Sequence, residues 1–158
     1  MCTLPYLVAD VAAREPRVSI GADVLTGFPG ESEEEFAQTL EFVRSLPVAY
    51  LHVFTYSERP GTAAAEMPAS VNPEVRKQRT RVLREVSEHK AAACARAAVG
   101  ERLEVVVETP RDDAGRLVGI SDNYLRVAFE GSEDLVGRIV PVQVIGAEGA
   151  ALSGSLLE

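Results

Sequence analysis

The first half of the chain alternates between hydrophobic patterns typical of helices and of strands. A helical spacing over residues 5–15 gives way to apolar alternation over 18–24, a helical stripe over 32–46 and a second alternating run over 49–56. In that second run one face carries Tyr50, His52, Phe54 and Tyr56, and the other carries Ala49, Leu51 and Val53. Strand, helix and strand in this order predict one parallel crossover unit.

A long helix is predicted after a loop rich in proline, glycine and alanine. Asn72 and Pro73 supply its cap and first-turn proline, and the helix is expected to last to about Val99 and stop at Gly100. Its apolar side is predicted to consist of Val75, Val82, Val86, Ala93 and Ala97, with Lys77, Arg81 and Arg84 on the opposite side.

The chain changes character after Gly100. Five short strand-like runs follow, separated by turn residues, and this spacing predicts a small all-β barrel. Asp122 and Asn123 are suited to a hairpin turn between the second and third runs, while Pro141 is expected at an edge or a bulge. The predicted fold class is therefore α/β plus all-β, with boundaries at 1–70, 71–99 and 100–158.

Charge is distributed unevenly over the 158 residues. The formal net charge is −8, which argues against nonspecific nucleic-acid binding by the molecule as a whole. Residues 74–97 nevertheless carry a net +4, whereas residues 101–158 carry a net −6. One basic helix in an acidic protein is the more informative feature.

Segments that would direct the protein to a membrane or out of the cell are not recognised in this sequence. No apolar run approaches the roughly 20 residues of a membrane span, and the first residues lack a secretory pattern. Cys2 and Cys94 are too few and too far apart to predict a disulfide framework or a metal motif. We therefore expect a cytoplasmic protein with two incidental thiols.

The stretch "GADVLTGFPGESEEEF", residues 21–36, predicts a strand that turns through a glycine-rich elbow into a helix. Ser32 and Glu35 form a capping box, and the acidic residues after Gly30 suit the helix dipole. Glycines let backbone approach a ligand and helix N-termini offer free amides, so the elbow is either a ligand site or only a turn. An anion site in a small α/β binding protein is a further alternative.

Two motifs in order, "GFPGES" and "LHVFTYSERPGTAAAEM", then an arginine-rich helix and a β module, resemble the C-terminal half of a radical-SAM methylthiotransferase. The last module resembles a TRAM domain, an RNA-binding barrel. The resemblance implies a partial (β/α) barrel, a basic connecting helix and a five-stranded TRAM barrel. The segments "LHVFTYS" and "SDNYLRVAFEG" are most similar in sequence to the branch that modifies N6-threonylcarbamoyladenosine at position 37 of tRNA. The isopentenyladenosine branch is the alternative.

The resemblance also implies where S-adenosylmethionine binds. Its pocket wall would include the elbow and the end of the second strand, that is Gly27, Phe28, Pro29, Gly30, Phe54, Thr55 and Tyr56. His52 is interpreted as a hydrogen-bonded interior histidine in preference to a general base. No residue is assigned a catalytic step.

The iron–sulfur chemistry of this family does not match the cysteines of the chain. The family holds a 4Fe-4S cluster with a C-x3-C-x2-C loop and a second cluster with three more cysteines, and cluster iron needs thiolate ligands. Two distant cysteines cannot form such a tripod. We therefore expect a fragment that is inactive alone, has no metal site, and works with a missing N-terminal part of the enzyme.

Contacts to tRNA, at its anticodon stem-loop, are expected from two surfaces. On the basic helix Lys77, Arg81 and Arg84 would meet phosphates, and on the β module Arg116 and Arg126 would flank Tyr124, which could stack on a base. Because that module is acidic, weak salt-dependent binding is expected. The alternative function is a stand-alone RNA-binding protein with a vestigial barrel.

An incomplete barrel has a structural consequence. Two parallel strands cannot close a barrel, so their edges and apolar faces would be exposed. We expect residues 1–70 to associate with a second copy or to be poorly ordered, and the module after residue 100 to fold by itself.

Overall fold

The computed structural model of the chain describes residues 3–157. Residues in this range form two compact units. The first comprises the chain up to Pro16 together with Ile20–Ser87, and the second comprises Arg17–Ser19 together with the chain from Glu88 onward. The structure thus contains separate α/β and all-β parts, which confirms the predicted fold class. No helix within the described range is both long and apolar enough to cross a bilayer.

The first unit contains the predicted strand–helix–strand crossover. After helix α1 (Leu4–Arg14), strand β1 (Gly21–Thr26), helix α2 (Glu33–Ser45) and strand β2 (Tyr50–Thr55) follow, and the two strands pair in parallel from Gly21↔Tyr50 to Thr26↔Thr55. One face of this pair is packed, because the core combines residues of β1, α2 and β2 with Val86 from the following helix. The buried members of the core are Val43, Leu46, Val48, Leu51 and Val86.

Helix α2 begins with the capping box predicted from its sequence. The backbone amide of Glu35 donates to the Ser32 hydroxyl at 3.1 Å, and the Glu35 carboxylate accepts from the Ser32 amide at 2.8 Å. The bond from the Ser32 amide, reinforced by the Ser32 hydroxyl, lowers the pKa of Glu35. Two orphan amides are therefore satisfied at the helix start, which fixes where the elbow ends.

Helix α3 (Pro73–Ala97) follows a short 3₁₀ turn at Ala63–Glu66. Its start is capped as predicted, since the Asn72 side chain accepts from the Glu74 amide at 2.9 Å. Its predicted apolar side is partly wrong: Val86 is buried, but Val75 and Val82 are only half-buried and Ala93 and Ala97 are exposed. The buried side instead contains Arg76, Arg79, Thr80, Leu83, Val86 and Ala95. Polar residues share the buried side because each of them has hydrogen-bond partners within the first unit.

The second unit is a closed five-stranded barrel. Its strands are β3 (Arg102–Val107), β4 (Leu117–Ser121), β5 (Arg126–Phe129), β6 (Ile139–Glu148) and β7 (Ala151–Leu156), in the order β3-β4-β5-β7-β6. A 3₁₀ turn lies at Glu133–Leu135. Inward-facing valines, leucines and Phe129 fill the barrel together with Ala95 and Ala98, so the end of the long helix contributes to this core.

Two local expectations within the barrel have different outcomes. The hairpin at Asp122–Asn123 is confirmed, because β4 and β5 pair antiparallel on either side of it. The placement of Pro141 at an edge or a bulge is wrong: β6 lies between β3 and β7, and its register shift falls at Val144/Gly146. Proline is accommodated because the ladder with β7 begins only at Val142, and the carbonyl of Pro141 accepts from the Leu157 amide just past the end of β7.

Candidate functional site

The elbow after β1 is closed by a carboxylate from its own sequence. Thr26 is fully buried, and Gly27 turns the chain with a φ of 81°. The Glu31 carboxylate accepts from the Gly27 amide at 2.7 Å and from the Thr26 hydroxyl at 3.2 Å. The Gly27 amide, a donor of the kind that binds anions at helix starts, is therefore already bonded to a carboxylate of the chain.

Arg79 of α3 binds the same carboxylate. Its guanidinium contacts Glu31 at 2.6 Å and Glu33 at 2.7 Å, and it also donates to the Glu31 carbonyl at 3.0 Å. Burial would lower the pKa of Arg79, but hydrogen bonds to Glu33 and Glu31 outweigh burial and raise it. Glu31 and Glu33 were expected only to favour the helix dipole; in the structure they also hold α3 against the elbow.

Arg76 lies directly against the elbow glycine. A Cβ atom at Gly27 would lie 2.5 Å from Cγ of Arg76, so the close approach that requires glycine here is made by this side chain. The Arg76 guanidinium donates to Glu58 at 3.0 Å and to the Ser70 hydroxyl at 2.6 Å, and it lies 5.2 Å from the centre of the Tyr56 ring. Its hydrogen bond lowers the pKa of Glu58.

Several elbow amides are engaged within the protein. The Gly30 amide donates to the Ala69 carbonyl at 2.9 Å and the Glu31 amide donates to the Phe28 carbonyl at 3.0 Å. With the Gly27 and Ser32 amides bonded to carboxylates, the expectation that this helix start offers free amides is wrong for these four groups. Acidic side chains supply two of the four acceptors, and backbone carbonyls supply the other two.

An apolar surface nevertheless lies beside the elbow. Leu25 and Phe54 are paired across the two strands, and both side chains are about half exposed. Phe28 is also partly exposed and contacts the Tyr56 ring edge-on at a centroid distance of 5.3 Å. The structure therefore brings Phe28 and Tyr56 together.

The remaining predicted residues on β2 have different surroundings. The Thr55 hydroxyl lies 2.6 Å from the Thr80 hydroxyl and is thereby engaged with α3. His52 is exposed rather than interior, with its ring 5.1 Å from that of Tyr50. Tyr56, just past the end of β2, is buried, and its hydroxyl has no hydrogen-bond partner among the described residues.

Iron–sulfur ligands are not found in the described part of the chain. No group of three or more His, Cys, Asp or Glu side chains in residues 3–157 is placed to hold a metal ion. Cys94 is a free, half-buried thiol, and Cys2 lies outside the described residues. The donor set of this chain does not fit a 4Fe-4S cluster, which takes several thiolates.

The three basic residues predicted to meet phosphate lie on one exposed face of α3. Lys77, Arg81 and Arg84 are spaced by four and three residues, and each side chain is exposed. Lys77 pairs with Glu74 at 2.8 Å, which raises the pKa of Lys77, and Arg81 lies 3.7 Å from Glu85. Arg84 has no ion pair within residues 3–157. Exposed pairs of this kind are weak, so phosphate can compete for these cations.

The predicted RNA contacts of the barrel are one exposed aromatic ring and two ion-paired arginines. Tyr124 is 76% exposed and has a left-handed backbone conformation with a φ of 63°. Arg126 pairs with Glu108 at 2.8 Å, and Arg116 pairs with Asp112 at 2.8 Å. Hydrogen bonds from the Arg116 backbone amide and then its side chain lower the pKa of Asp112.

Arg76, Arg79 and Glu31 are the residues that the sequence analysis missed. Their signal was present in the spacing of α3, since Arg76, Arg79 and Thr80 lie three to seven residues before Leu83 and so share its helix side. The valines and alanines of α3 predict a different buried side, and arginine is rarely buried without a partner. The acidic partners of Arg79 lie more than forty positions earlier in the chain, and that of Arg76 lies 18 positions earlier.

Comparison with known proteins agrees with the two-part organisation. Residues 96–157 match the TRAM domain family. The chain is 38% identical over 135 residues to the threonylcarbamoyladenosine tRNA methylthiotransferase MtaB of Bacillus subtilis (strain 168), covering 84% of this chain and 30% of that protein. It is 35% identical over 152 residues to a tRNA-2-methylthio-N(6)-dimethylallyladenosine synthase of Yersinia pestis (strain Pestoides F), covering 96% of this chain and 32% of that protein.

The chain spans about a third of the length of these curated relatives. The matches cover both units of the structure, from the parallel strands and elbow to the closed barrel. This chain carries a TRAM domain and is homologous over most of its length to tRNA methylthiotransferases.

Proposed function

We propose that this chain acts within a tRNA methylthiotransferase that adds a methylthio group to C2 of N6-threonylcarbamoyladenosine at position 37. The chain supplies part of the wall of the S-adenosylmethionine pocket and part of the tRNA-binding surface. It carries no residue to which we assign a chemical step, and the iron–sulfur clusters bind elsewhere. The basis is the homology over 84% of the chain to an enzyme named for this substrate.

One structural observation carries the pocket-wall role. The face of β1 and β2 opposite the packed core is uncovered, and it exposes Leu25, His52 and Phe54. In a (β/α) barrel this face points inward, and ligands bind at the C-terminal strand ends. Leu25 and Phe54 lie at those ends, next to the elbow.

The elbow fits S-adenosylmethionine as an apolar wall rather than as a set of amide donors. Phe28 and Phe54 offer ring surface, whereas the amides of Gly27 and Gly30 are bonded internally. When bound, the cofactor supplies both the radical and the methyl group. In this arrangement Arg76, Arg79 and Glu31 act on the pocket only by holding the elbow and the Tyr56 ring in place.

Similarity to the second relative supports dimethylallyladenosine as an alternative substrate. The synthase acting on dimethylallyladenosine matches 96% of the chain, and its 35% identity is close to the 38% of the threonylcarbamoyl enzyme. Disrupting the gene in its host and measuring tRNA nucleosides by mass spectrometry separates the two. Loss of methylthio-threonylcarbamoyladenosine supports the proposal, loss of the methylthio-dimethylallyl nucleoside supports the second substrate, and an unchanged pattern contradicts both.

Binding of tRNA by the chain provides an independent test. The affinity should be weak and should fall with salt, because counterions are released when lysine and arginine meet phosphates. Replacing Arg81 and Arg84 with glutamine should flatten the salt dependence, whereas Arg96→Gln, outside the proposed face, should change it less. Absence of binding at low salt, or binding without salt dependence, would contradict this part of the proposal.

A further inference from the structure

The outer surface of the barrel carries an open groove of about 430 Å³, which we call the barrel groove. Its apolar lining consists of Val106, Ile120, Tyr124 and Ile139. Val106 and Ile139 are about half to two-thirds exposed, and Tyr124 is more exposed still. Its volume lies within the range of roughly 300–1,000 Å³ common for small-molecule sites.

Strand register explains why these side chains share one face. Ile139 pairs with Val106, Val106 pairs with Ile120, and Ile120 pairs with Arg126. Directly opposed residues point to the same face of a sheet, so these residues form one row across four strands. The row consists of three aliphatic side chains followed by Arg126.

Tyr124 is held at the end of the groove by its turn. The backbone amide of Tyr124 donates to the Ser121 carbonyl at 3.0 Å, and the Leu125 amide donates to the Ser121 hydroxyl at 3.0 Å. Ser121 is itself buried. A left-handed backbone is uncommon for a tyrosine, and here the turn around Ser121 keeps a large ring outside the core beside the groove.

The charge of the groove selects the kind of group that binds. Its acidic lining consists of Glu104, Glu108 and Asp122. Glu108 forms an ion pair with Arg126 at 2.8 Å, and Glu104 has a longer contact of 3.3 Å with Arg102. The Asp122 carboxylate has no ion pair within the described residues. Carboxylates only accept hydrogen bonds and repel phosphate, so they favour a ligand that presents neutral N–H donors beside a flat apolar surface.

We propose that the barrel groove binds one unpaired RNA base that carries exocyclic amino or ring N–H donors, with guanine preferred over uracil. The base stacks on Tyr124 and against the aliphatic row, its donors face Glu104 and Asp122, and its phosphates stay outside the groove. RNA bases that are not paired are commonly read by stacking and by hydrogen bonds to their edges. Guanine offers a ring N–H and an amino group side by side, whereas uracil offers a single donor. This inference rests on the proposed tRNA-binding function.

The test compares two short single-stranded RNAs with the full chain by fluorescence anisotropy at moderate salt. One strand is oligouridine and the other carries a single central guanine. We expect the guanine strand to bind about fivefold or more tightly, because stacking and edge contacts add to a common phosphate term. The ratio of the two affinities is the readout, since a general change in charge moves both affinities together.

Variants assign the preference to the groove. Tyr124→Asn removes the ring while tolerating the left-handed backbone, and we expect the guanine strand to lose about fivefold or more. Tyr124→Phe should retain binding. Glu104→Gln and Asp122→Asn should reduce the guanine-to-uridine ratio, whereas Glu148→Gln and Ile145→Ala, exposed changes outside the groove lining, should leave it unchanged.

Several results would overturn the inference. It is overturned by equal affinity for both strands, by a preference for oligouridine, or by an unchanged guanine-to-uridine ratio in the Tyr124→Asn and Glu104→Gln variants. It is also overturned if a lysine-rich peptide displaces the guanine strand by binding to the same residues. If intact tRNA still binds with salt dependence in these cases, the proposed tRNA-binding function stands. If tRNA itself fails to bind at low salt, both fail.

Discussion

Arginine residues of helix α3 differ in burial although they lie within a few positions of one another. Arg76 and Arg79 are buried, whereas Arg81 and Arg84 are exposed. A buried guanidinium is costly unless its charge is paired, and Arg79 bonds two carboxylates and one carbonyl through its two terminal nitrogens. Its buried Nε has no hydrogen-bond partner among the described residues. The helical period, and not residue type, decides which arginine lies inside.

The buried pair of Arg79 and Glu31 gives a prediction for stability. Arg79→Met leaves the largely buried Glu31 carboxylate without its countercharge, so the free energy of unfolding should fall by about 3 kcal/mol. Urea denaturation followed by circular dichroism measures the change. Adding Glu31→Gln to Arg79→Met should recover part of the loss.

Lys77→Met is the matched control for that variant. It removes a cation from the same helix, but the pair with Glu74 is exposed and solvent screens it, so stability should be nearly unchanged. Equal losses in the Arg79 and Lys77 variants would show that the buried pair is not a major source of stability.

The barrel should lose stability in acid partly through Asp112. Hydrogen bonds from the Arg116 amide and side chain lower its pKa below the ordinary value of 3.8 in the folded state. A depressed pKa stabilises the fold above the unfolded pKa, and that contribution is lost as the pH falls through the folded pKa. Melting temperatures measured from neutral pH to below 3.8 should therefore decline less steeply in Asp112→Asn than in the wild type. Identical slopes would contradict this assignment.

At the scale of elements, the elbow is a junction between strand, loop and helices rather than an open binding loop. Its glycines and acidic residues join β1 to α2, and the side chains of Arg76 and Arg79 join both to α3. The Gly30 amide donates an additional hydrogen bond to the Ala69 carbonyl of the following loop. The apolar rings beside the elbow are therefore held by a turn whose backbone amides are hydrogen-bonded within the protein.

Two glycines of the elbow allow a matched comparison. Both have positive φ, so Ala at either position costs about 1 kcal/mol for the backbone. Gly30→Ala meets no atom within 4 Å, but Gly27→Ala places its Cβ 2.5 Å from Cγ of Arg76. Overlap in a packed site adds about 1–3 kcal/mol, so Gly27→Ala should be the more destabilising variant in urea denaturation. A larger loss for Gly30→Ala would contradict the contact with Arg76.

At the scale of the whole molecule, helix α3 is shared between the two compact units. Val86 belongs to the core of the first unit, whereas Ala95 and Ala98 lie in the core of the barrel. The Gly100 amide also donates to the Val144 carbonyl at 3.0 Å. A barrel cut at residue 100 would therefore lack Ala95 and Ala98 from its core, and folding of this module by itself stays a prediction.

The prediction is tested with two fragments. Residues 88–158 should fold with a higher melting temperature than residues 100–158, because only the longer one retains Ala95 and Ala98. In the full chain Ala95→Asp should destabilise the barrel by about 3 kcal/mol or more by burying a charge, whereas Ala97→Asp on the exposed side should change little. Equal melting of the two fragments would show that the helix end is dispensable.

Much of the fold follows from local patterns in the sequence. Alternating residues predict β2 and the five barrel strands, Ser32 and Asn72 mark helix starts, and Gly100 marks a helix end. These signals are local because turn chemistry, capping and hydrophobic period each act over a few residues. The self-association expected of residues 1–70 stays a prediction.

Other features depend on contacts between residues far apart in sequence. The partners of Arg79 lie 46 and 48 positions away, so composition alone could not show that this arginine is buried. The free amides expected at the elbow are taken by Glu31, Glu35, Phe28 and Ala69. The sequence by itself determined the elements, their order and the family resemblance, since each arises from residues near one another in the chain. Only the tertiary structure decided which charges are buried and which groove stays open, because packing selects partners by distance in space.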